Sequence, residues 1–225
     1  APFKFYRDQP RTLALEATVA AGTGDELVAH CRLVGSRQLA NQPEPQVITH
    51  FTGRVRLSPA TAEPSTAAVP SAPHQGGVGA EAIYRVYFHG PAYQVLERSW
   101  REGDRQVGLL AAGLPEHHQP PGLPLVTAPR LLELCFQTAG VWELGTSGRL
   151  ALPRHLGRVT IMAAGEPPTG RVFAVVTPGA GGETFDAMVV DEAGRVHLRL
   201  EGYATVALPT PLDAALLAPL RPEVT

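Results

Sequence analysis

The sequence predicts an α+β protein in which antiparallel sheets wrap around central helices. Two observations lead to this fold class. Most apolar residues alternate with polar ones in short segments, which is the two-residue period of a half-buried strand. One segment, residues 129–142, is instead apolar nearly all round a helix and starts with a proline, which the first turn of a helix tolerates. This segment is therefore predicted to be a helix enclosed by the strands.

Three strands and no helix are predicted in the first part of the chain, residues 1–57. The strands cover residues 11–20, 26–34 and 46–57, and the last has the clearest alternation. A small sheet with one apolar face needs a second layer to cover it. We therefore expect the first part of the fold to be incomplete in this chain, and the helix that covers its sheet to precede residue 1 in a longer protein.

A change in composition separates this first part from a second. Residues 58–82 are rich in Ala, Pro, Ser, Thr and Gly, so we predict a flexible surface linker. Residues 83–209 form the second part, and residues 210–225 are a C-terminal tail. Around the helix, strands are predicted at residues 83–88, 94–101, 106–112, 157–163, 171–177, 184–190 and 195–206.

Composition and motifs exclude several classes of function. The 225 residues carry a formal net charge of −2, which gives no basic field for nucleic acid, and no apolar run approaches the roughly 20 residues of a membrane span. Cys31 and Cys135 stand alone in apolar stretches, which predicts buried reduced thiols and a cytoplasmic location. Dinucleotide, P-loop and metalloprotease motifs are absent, and the glycines of residues 178–183 fit a hairpin loop. We expect neither a cofactor nor a metal.

Two polar residues interrupt the predicted helix. Glu133 and Gln137 are four residues apart and therefore project from one face. Burial of a carboxyl favours its protonated form, which suits a general acid near neutral pH. The alternative is a glutamate at the rim of the helix, bonded to a neighbour, with a solvated glutamine beside it. Spacing alone leaves both interpretations open.

Three segments together resemble the dehydratase domains of polyketide synthases and polyunsaturated fatty acid synthases. They are residues 88–94 (Phe-His-Gly-Pro-Ala-Tyr-Gln), residues 129–137 (Pro-Arg-Leu-Leu-Glu-Leu-Cys-Phe-Gln) and the closing strands within residues 189–209. They occur in the family's order and at similar spacing. Residues 50–55 resemble the family's first half more loosely, and the Phe-His-Gly-Pro variant looks closest to the polyunsaturated fatty acid type. The resemblance implies a double hot-dog fold, with the first hot-dog incomplete in this chain.

The resemblance also implies a reaction and its partners. A 3-hydroxyacyl chain arrives as a thioester on the phosphopantetheine arm of an acyl carrier protein. A histidine removes the C2 proton while a carboxylic acid protonates the departing C3 hydroxyl, which yields the 2,3-enoyl thioester and water. Carrier protein and neighbouring synthase domains are the implied partners, and a homodimer is a candidate assembly.

Residue by residue, the resemblance assigns the acid to Glu133, where the family usually has Asp. Gln137 is implied to orient the carboxyl or the leaving hydroxyl. His89 stands where the family commonly has Tyr and is implied to help place the acid, with a simple packing role as the alternative. Three substrate-binding positions are implied in the segment that follows His89: Gly90, Pro91 and Tyr93.

The base is missing from this assignment. Of the eight histidines, only His118 has glycine at the fourth following position, and the residue where the family's motif has proline is Thr127. The setting is a proline-rich loop in the wrong part of the chain, so we expect the base upstream and negligible activity from this chain alone. Two other functions stay open: a catalytically inactive structural or carrier-docking module, and another hot-dog activity such as a thioesterase.

Overall fold

Three long strands form the first of two sheets in the computed structural model. They are β1 (Leu13–Ala21), β2 (Leu27–Arg37) and β3 (Gln46–Leu57), joined as an antiparallel meander in the order β1-β2-β3. The structure describes residues 3, 10–38, 41–60, 62–71, 76–120, 123, 125, 127–162, 168 and 170–221. Within them the chain divides into two compact units, Ala1–Thr61 and Ala62–Thr225, and the first sheet belongs to the first unit.

One face of the first sheet is apolar and open to solvent. The register places Leu15 beside Leu33 and Leu33 beside Phe51, which lines up their side chains across the three strands. Leu15 is 72% exposed and Phe51 is 60% exposed. An exposed apolar patch of this kind normally packs against another layer. Within the described part of the first unit, no helix covers this face.

The second unit contains a larger antiparallel sheet. Its strand order is β4-β5-β6-β9-β10-β11-β7, and β8 also pairs with β11. The strands are β4 (Val78–Gly79), β5 (Leu96–Glu102), β6 (Arg105–Leu110), β7 (Ala151–His155), β8 (Arg158–Ile161), β9 (Val172–Pro178), β10 (Thr184–Asp191) and β11 (Val196–Ala207).

A single long helix packs against this sheet. We number the helices in chain order: α1 (Ala80–Tyr84), α2 (Pro129–Ser147) and α3 (Ala214–Leu217). The α2 helix runs past its predicted end at Trp142 and stops at Gly148, which adopts the left-handed conformation (φ 67°) that closes many helices. Leu134, Ala139 and Leu144 are fully buried in the main core between helix and sheet. The prediction of an enclosed helix is confirmed.

The structure corrects one predicted element and adds a strand that was not predicted. Residues 83–88, predicted as a strand, contain the end of α1 and the turn that follows it. Ile83 is fully buried, so a short amphipathic helix produces the apolar spacing that resembles a strand. The β7 strand was not predicted, since its Pro-Arg-His composition lacks alternation. Of the strand predicted at residues 157–163, the last residue lies outside the described ones.

The predicted linker and tail both contribute to the second unit. The boundary between the units falls after residue 61, and the described part of residues 62–82 packs on the second sheet. The Val196 N–H donates to the Ser65 carbonyl oxygen at 2.8 Å, and β4 pairs with β5. In the tail, α3 and a 3-10 turn carry Leu217 and Leu220 into the main core. Composition alone does not predict these contacts, because the few apolar residues of a Pro-rich segment do not recur at the regular spacing of a strand or helix.

Two further findings concern single side chains. Cys31 and Cys135, both predicted to be buried, are free, but only Cys135 is buried. Asp191 is buried and accepts from His197 Nε2 at 2.8 Å and from the Ala193 and Arg195 N–H groups at 3.0 Å. It closes the turn between β10 and β11. No helix in the described part of the chain is long and apolar enough to cross a membrane.

Candidate active site

Two segments bring the predicted site residues together. The α2 helix presents Glu133 and Gln137 on one face, and the loop after α1 places His89 beside them. This loop ends in a 3-10 turn, Pro91–Tyr93, closed by a hydrogen bond from the Tyr93 N–H to the Gly90 carbonyl oxygen at 2.9 Å. Proline at the first position of the turn supplies the backbone angle that the turn needs. The loop is also tied to α2, because Arg130 Nε donates to the Ala92 carbonyl oxygen at 3.0 Å.

The Glu133 carboxyl has two partners on one oxygen. Its Oε1 lies 3.0 Å from His89 Nε2 and accepts from Gln137 Nε2 at 2.9 Å. Among the described residues, Oε2 has no hydrogen-bond partner. The side chain is 21% exposed, so it is neither deeply enclosed nor a solvated rim residue. One oxygen is held and the other is available to a bound molecule.

The Gln137 amide is fully bonded within the protein. Gln137 is 2% exposed. Its Nε2 donates to the Tyr93 carbonyl oxygen at 2.8 Å as well as to Glu133, and its Oε1 accepts from the Tyr84 hydroxyl at 2.7 Å. The Tyr84 oxygen in turn accepts from the Leu96 N–H at 2.7 Å. This directed chain of donors fixes which way the amide points, so Gln137 positions Glu133 and has no free group for a substrate.

Tyr84 and Tyr87 support α2 from the same short segment. Tyr87 is fully enclosed, and its hydroxyl donates to the Gln137 backbone carbonyl at 2.8 Å. Burial is the main cause that raises the pKa of both phenols, and the nearby Glu133 carboxylate adds to it. Both therefore stay neutral donors. Gly140 allows this packing, because a Cβ there would overlap the Tyr87 hydroxyl oxygen.

A cavity of about 210 Å³ adjoins this cluster. Glu133, Gln137, Gly140 and Glu143 line it along one side of α2. The rest of the wall is mostly apolar or aromatic and comes from the loop after α1, from β7 and from β11: Tyr87, Phe88, His89, Phe136, Leu150, Ala151, Leu152, Pro153 and Tyr203. A mostly apolar cavity with Glu133 and Glu143 in its wall suits an apolar ligand whose polar group reaches Glu133.

His89 is held between aromatic rings. Its imidazole stacks on Phe88 with ring centres 5.0 Å apart and meets the edge of Tyr87 at 5.5 Å. The Gln94 side chain donates to the His89 carbonyl oxygen at 3.0 Å, which fixes the backbone as well. Nδ1 is buried and has no hydrogen-bond partner among the described residues. The ring therefore directs Nε2 to Glu133, which is the arrangement expected of a residue that places the acid.

The structure separates the predicted site residues into two groups. Glu133, Gln137 and His89 form one hydrogen-bonded cluster on the cavity. Gly90, Pro91 and Tyr93 do not line the cavity, although the Tyr93 backbone carbonyl anchors Gln137.

Sequence reasoning missed Tyr84 and Tyr87, which hold Gln137 in place. The signal that could have found them is the helix-forming Ala-Glu-Ala of residues 80–82, which indicates a helix leading into the segment that was predicted as a strand.

An enclosed helix that packs against an antiparallel sheet is the arrangement of a hot-dog fold. The chain belongs to the family described as polyketide synthase dehydratase N-terminal domain, whose model matches residues 60–214. This match covers nearly all of the second unit that carries Glu133. The predicted family and fold class, a double hot-dog, are both confirmed.

Known relatives agree with this assignment. The polyketide synthase ThaG of Burkholderia thailandensis is 28% identical over 134 residues, which are 57% of this chain and 2% of that protein. The dehydratase domain from the CurF module of the curacin polyketide synthase is 18% identical, with a TM-score of 0.64 over 86% of this chain and 68% of that one. A trans-AT polyketide synthase dehydratase domain from Brevibacillus brevis is also 18% identical, with a TM-score of 0.63 over 85% of this chain and 68% of that one.

Proposed function

We propose that this domain eliminates water from a carrier-bound 3-hydroxyacyl thioester to give the 2,3-enoyl thioester, with Glu133 as the acid that protonates the leaving hydroxyl. The family supports a dehydratase of a polyketide synthase and hence a hydro-lyase activity in general. The observation that carries the finer proposal is the Glu133 carboxyl, whose Oε1 is held by His89 and Gln137 while Oε2 has no partner among the described residues.

This geometry suits a general acid. His89 and Gln137 both donate to Oε1, so the proton of the acid form lies on Oε2. Oε2 is the oxygen that a substrate hydroxyl can reach. An acid positioned in this way contributes about 10²- to 10⁴-fold to a proton-transfer step. Gln137 and His89 act through Glu133 and are positioning residues. The imidazole also stabilises the carboxylate that forms when the proton has been given up, because its Nε2 lies 3.0 Å from Oε1.

The base is proposed to be a histidine outside these 225 residues. His89 is the one histidine among the described residues that line the cavity, and its Nε2 is occupied by Glu133. A C2 proton would therefore have to be removed by a group from elsewhere. The exposed apolar face of the first sheet is consistent with a missing layer that could carry such a group.

Glu133→Gln in the full-length protein tests the proposal. Gln is isosteric, and its amide oxygen can still accept from Gln137, so the fold should persist while dehydration falls by at least about 100-fold. Glu97→Gln, on an exposed position of β5, is the matched control and should keep the wild-type rate. Alkene formation from a 3-hydroxyacyl carrier-protein thioester, followed by mass spectrometry, is the measurement.

The same assay separates the alternative functions. Wild-type turnover of Glu133→Gln would show that the acid is elsewhere. Release of the free acid in place of the alkene would identify a thioesterase, and no reaction of the wild type would favour an inactive docking module. A robust rate from the 225-residue chain alone would contradict the proposal that the base lies outside it.

The family indicates part of the assembly in which the reaction takes place. Domains of this family work within synthase assemblies beside neighbouring domains. We further propose that an acyl carrier protein delivers the substrate on its phosphopantetheine arm, that the domain needs no cofactor of its own, and that it acts in the cytoplasm. A homodimer and a synthase of the polyunsaturated fatty acid type stay predictions of the sequence resemblance.

A further inference from the structure

A second carboxyl lies in the same cavity, ten residues farther along α2. Glu143 lines the cavity together with Tyr203 and the β7 residues. Its Oε1 accepts from the Thr205 hydroxyl at 2.5 Å. Its Oε2 is buried and has no hydrogen-bond partner among the described residues. A carboxyl with one bonded and one unbonded buried oxygen is unusual, because an unsatisfied buried polar group costs about 1–3 kcal/mol.

The surroundings of Glu143 favour its neutral form. Burial raises the pKa of the Glu143 carboxyl, and the hydrogen bond from Thr205 offsets only part of that shift. Burial and the nearby Glu143 and Glu133 carboxylates also raise the pKa of Tyr203. A carboxyl with a raised pKa and a phenol therefore lie together in a cavity that is otherwise mostly apolar. The phenol can donate to an oxygen atom and accept from a hydroxyl, and the carboxyl can accept from a hydroxyl and, in its acid form, also donate.

Glu143 and Tyr203 lie far along the cavity from Glu133, where the reaction is proposed to take place. Ten residues of α-helix rise about 15 Å, so the Glu133 and Glu143 backbones are about that far apart along α2. Phe136 and Gly140 lie between them on the cavity wall, and the Phe136 ring stacks on Tyr203 at 4.6 Å between ring centres. An acyl chain whose C3 hydroxyl reaches Glu133 would thus cross an apolar stretch before its remote end meets Glu143.

We propose that Glu143 is a specificity residue that selects acyl chains bearing a hydroxyl several carbons beyond the reacting centre. The remote hydroxyl donates to the Glu143 carboxyl or accepts from it, and because Oε2 is enclosed, the carboxyl turns toward the cavity to form this bond. A plain alkyl chain leaves that oxygen unpaired and is therefore disfavoured. The inference deepens the proposed dehydratase function and rests on it for the orientation of the chain.

A competition between matched substrates tests the inference in the full-length protein. The pair consists of two 3-hydroxyacyl pantetheine thioesters of equal length, one with a remote hydroxyl and one without, prepared as a series with the hydroxyl at successive carbons. We expect the wild type to prefer the hydroxylated member by about tenfold in kcat/KM at the best position, which corresponds to about 1.4 kcal/mol. Glu143→Leu should abolish or reverse this ratio, and Glu143→Gln should keep part of it.

Thr205→Val separates specificity from a merely structural role. This variant removes the donor to Oε1 and should lower the substrate ratio while leaving the preference for a hydroxyl detectable. If Glu143 only fastens α2 to β11, Glu143→Leu and Thr205→Val would lower the melting temperature equally and leave the ratio unchanged. That result, or a flat ratio across the whole series in the wild type, would overturn the inference.

A binding measurement keeps this inference distinct from the proposed function. Saturated acyl pantetheine thioesters that lack the C3 hydroxyl cannot be dehydrated, so their dissociation constants report on the cavity alone. Tighter binding of the remote-hydroxyl analogue to wild type than to Glu143→Leu supports the inference even if no alkene is ever formed. Equal binding of the hydroxylated and plain analogues by the wild type refutes it, whatever the catalytic result.

Discussion

Tyr84→Phe removes one oxygen from the middle of the hydrogen-bond chain that orients the acid. The Tyr84 hydroxyl accepts from the Leu96 N–H and donates to Gln137 Oε1, both at 2.7 Å. Leu96 is fully buried and Gln137 nearly so. The substitution therefore leaves two enclosed polar groups unpaired, and each costs about 1–3 kcal/mol. We expect the free energy of unfolding to fall by about 2–6 kcal/mol.

Tyr87→Phe is the matched control for this prediction. The Tyr87 hydroxyl bonds the Gln137 backbone carbonyl at 2.8 Å, which within a helix also accepts from the N–H four residues later. No group is left without a partner, so the expected loss is about 1 kcal/mol. Urea unfolding followed by tryptophan fluorescence measures both variants, because Trp100 and Trp142 both belong to the second unit.

The two variants should also differ in activity. Without Tyr84 the Gln137 amide can rotate, and Glu133 loses the donor that sets its Oε1. We expect dehydration in the full-length protein to fall about tenfold or more, in keeping with the sensitivity of rates to small misplacements of a catalytic group. Tyr87→Phe should stay within about threefold of wild type, since it does not touch the side-chain amide. Equal losses of stability and of activity in the two variants would refute this account of how Glu133 is positioned.

Two further predictions address packing. Gly140→Ala should destabilise the second unit by about 1–3 kcal/mol in urea unfolding, because its Cβ would overlap the Tyr87 hydroxyl oxygen. Gly90→Ala is the control and should change stability little, because a Cβ there would meet open space. A larger loss of stability in Gly90→Ala than in Gly140→Ala would contradict the packing described. Burial raises the pKa of the Cys135 thiol to about 12, so iodoacetamide should modify the partly exposed Cys31 in the native protein and reach Cys135 only after unfolding. Equal native labelling, read by mass spectrometry, would count against an enclosed α2.

The core of the fold was predictable because it depends on local patterns. The helix at residues 129–142 and most strands follow from periods of 3.6 and 2 residues, which are set by backbone geometry. Elements whose apolar residues do not recur at a regular spacing were not predicted. The α1 helix is too short to display one, and β7 owes its place in the sheet to pairing with β11. Residues 62–71 look like a linker by composition, yet they form hydrogen bonds because β11, the turn before it and β5 lie beside them.

Local patterns likewise predict only part of the candidate site. The i, i+4 spacing of Glu133 and Gln137 determines that they share a face of α2, and the family motif that contains them indicates which residue is the acid. The orientation of the Gln137 amide depends on the Tyr84 hydroxyl 53 residues earlier, which no local pattern reveals. The presence of Glu143 in the cavity likewise depends on β7 and β11, which form the opposite wall.

The sequence by itself therefore determined the class of the protein, its enclosed helix and the residue proposed as its acid. Only the tertiary structure decided that one Glu133 oxygen is held while the other is free, that His89 contacts the acid, and that Tyr93 contributes its backbone carbonyl. The physical reason is that spacing along a helix is a local property of the chain. A hydrogen-bond partner is instead supplied by whichever distant segment folding brings within about 3 Å.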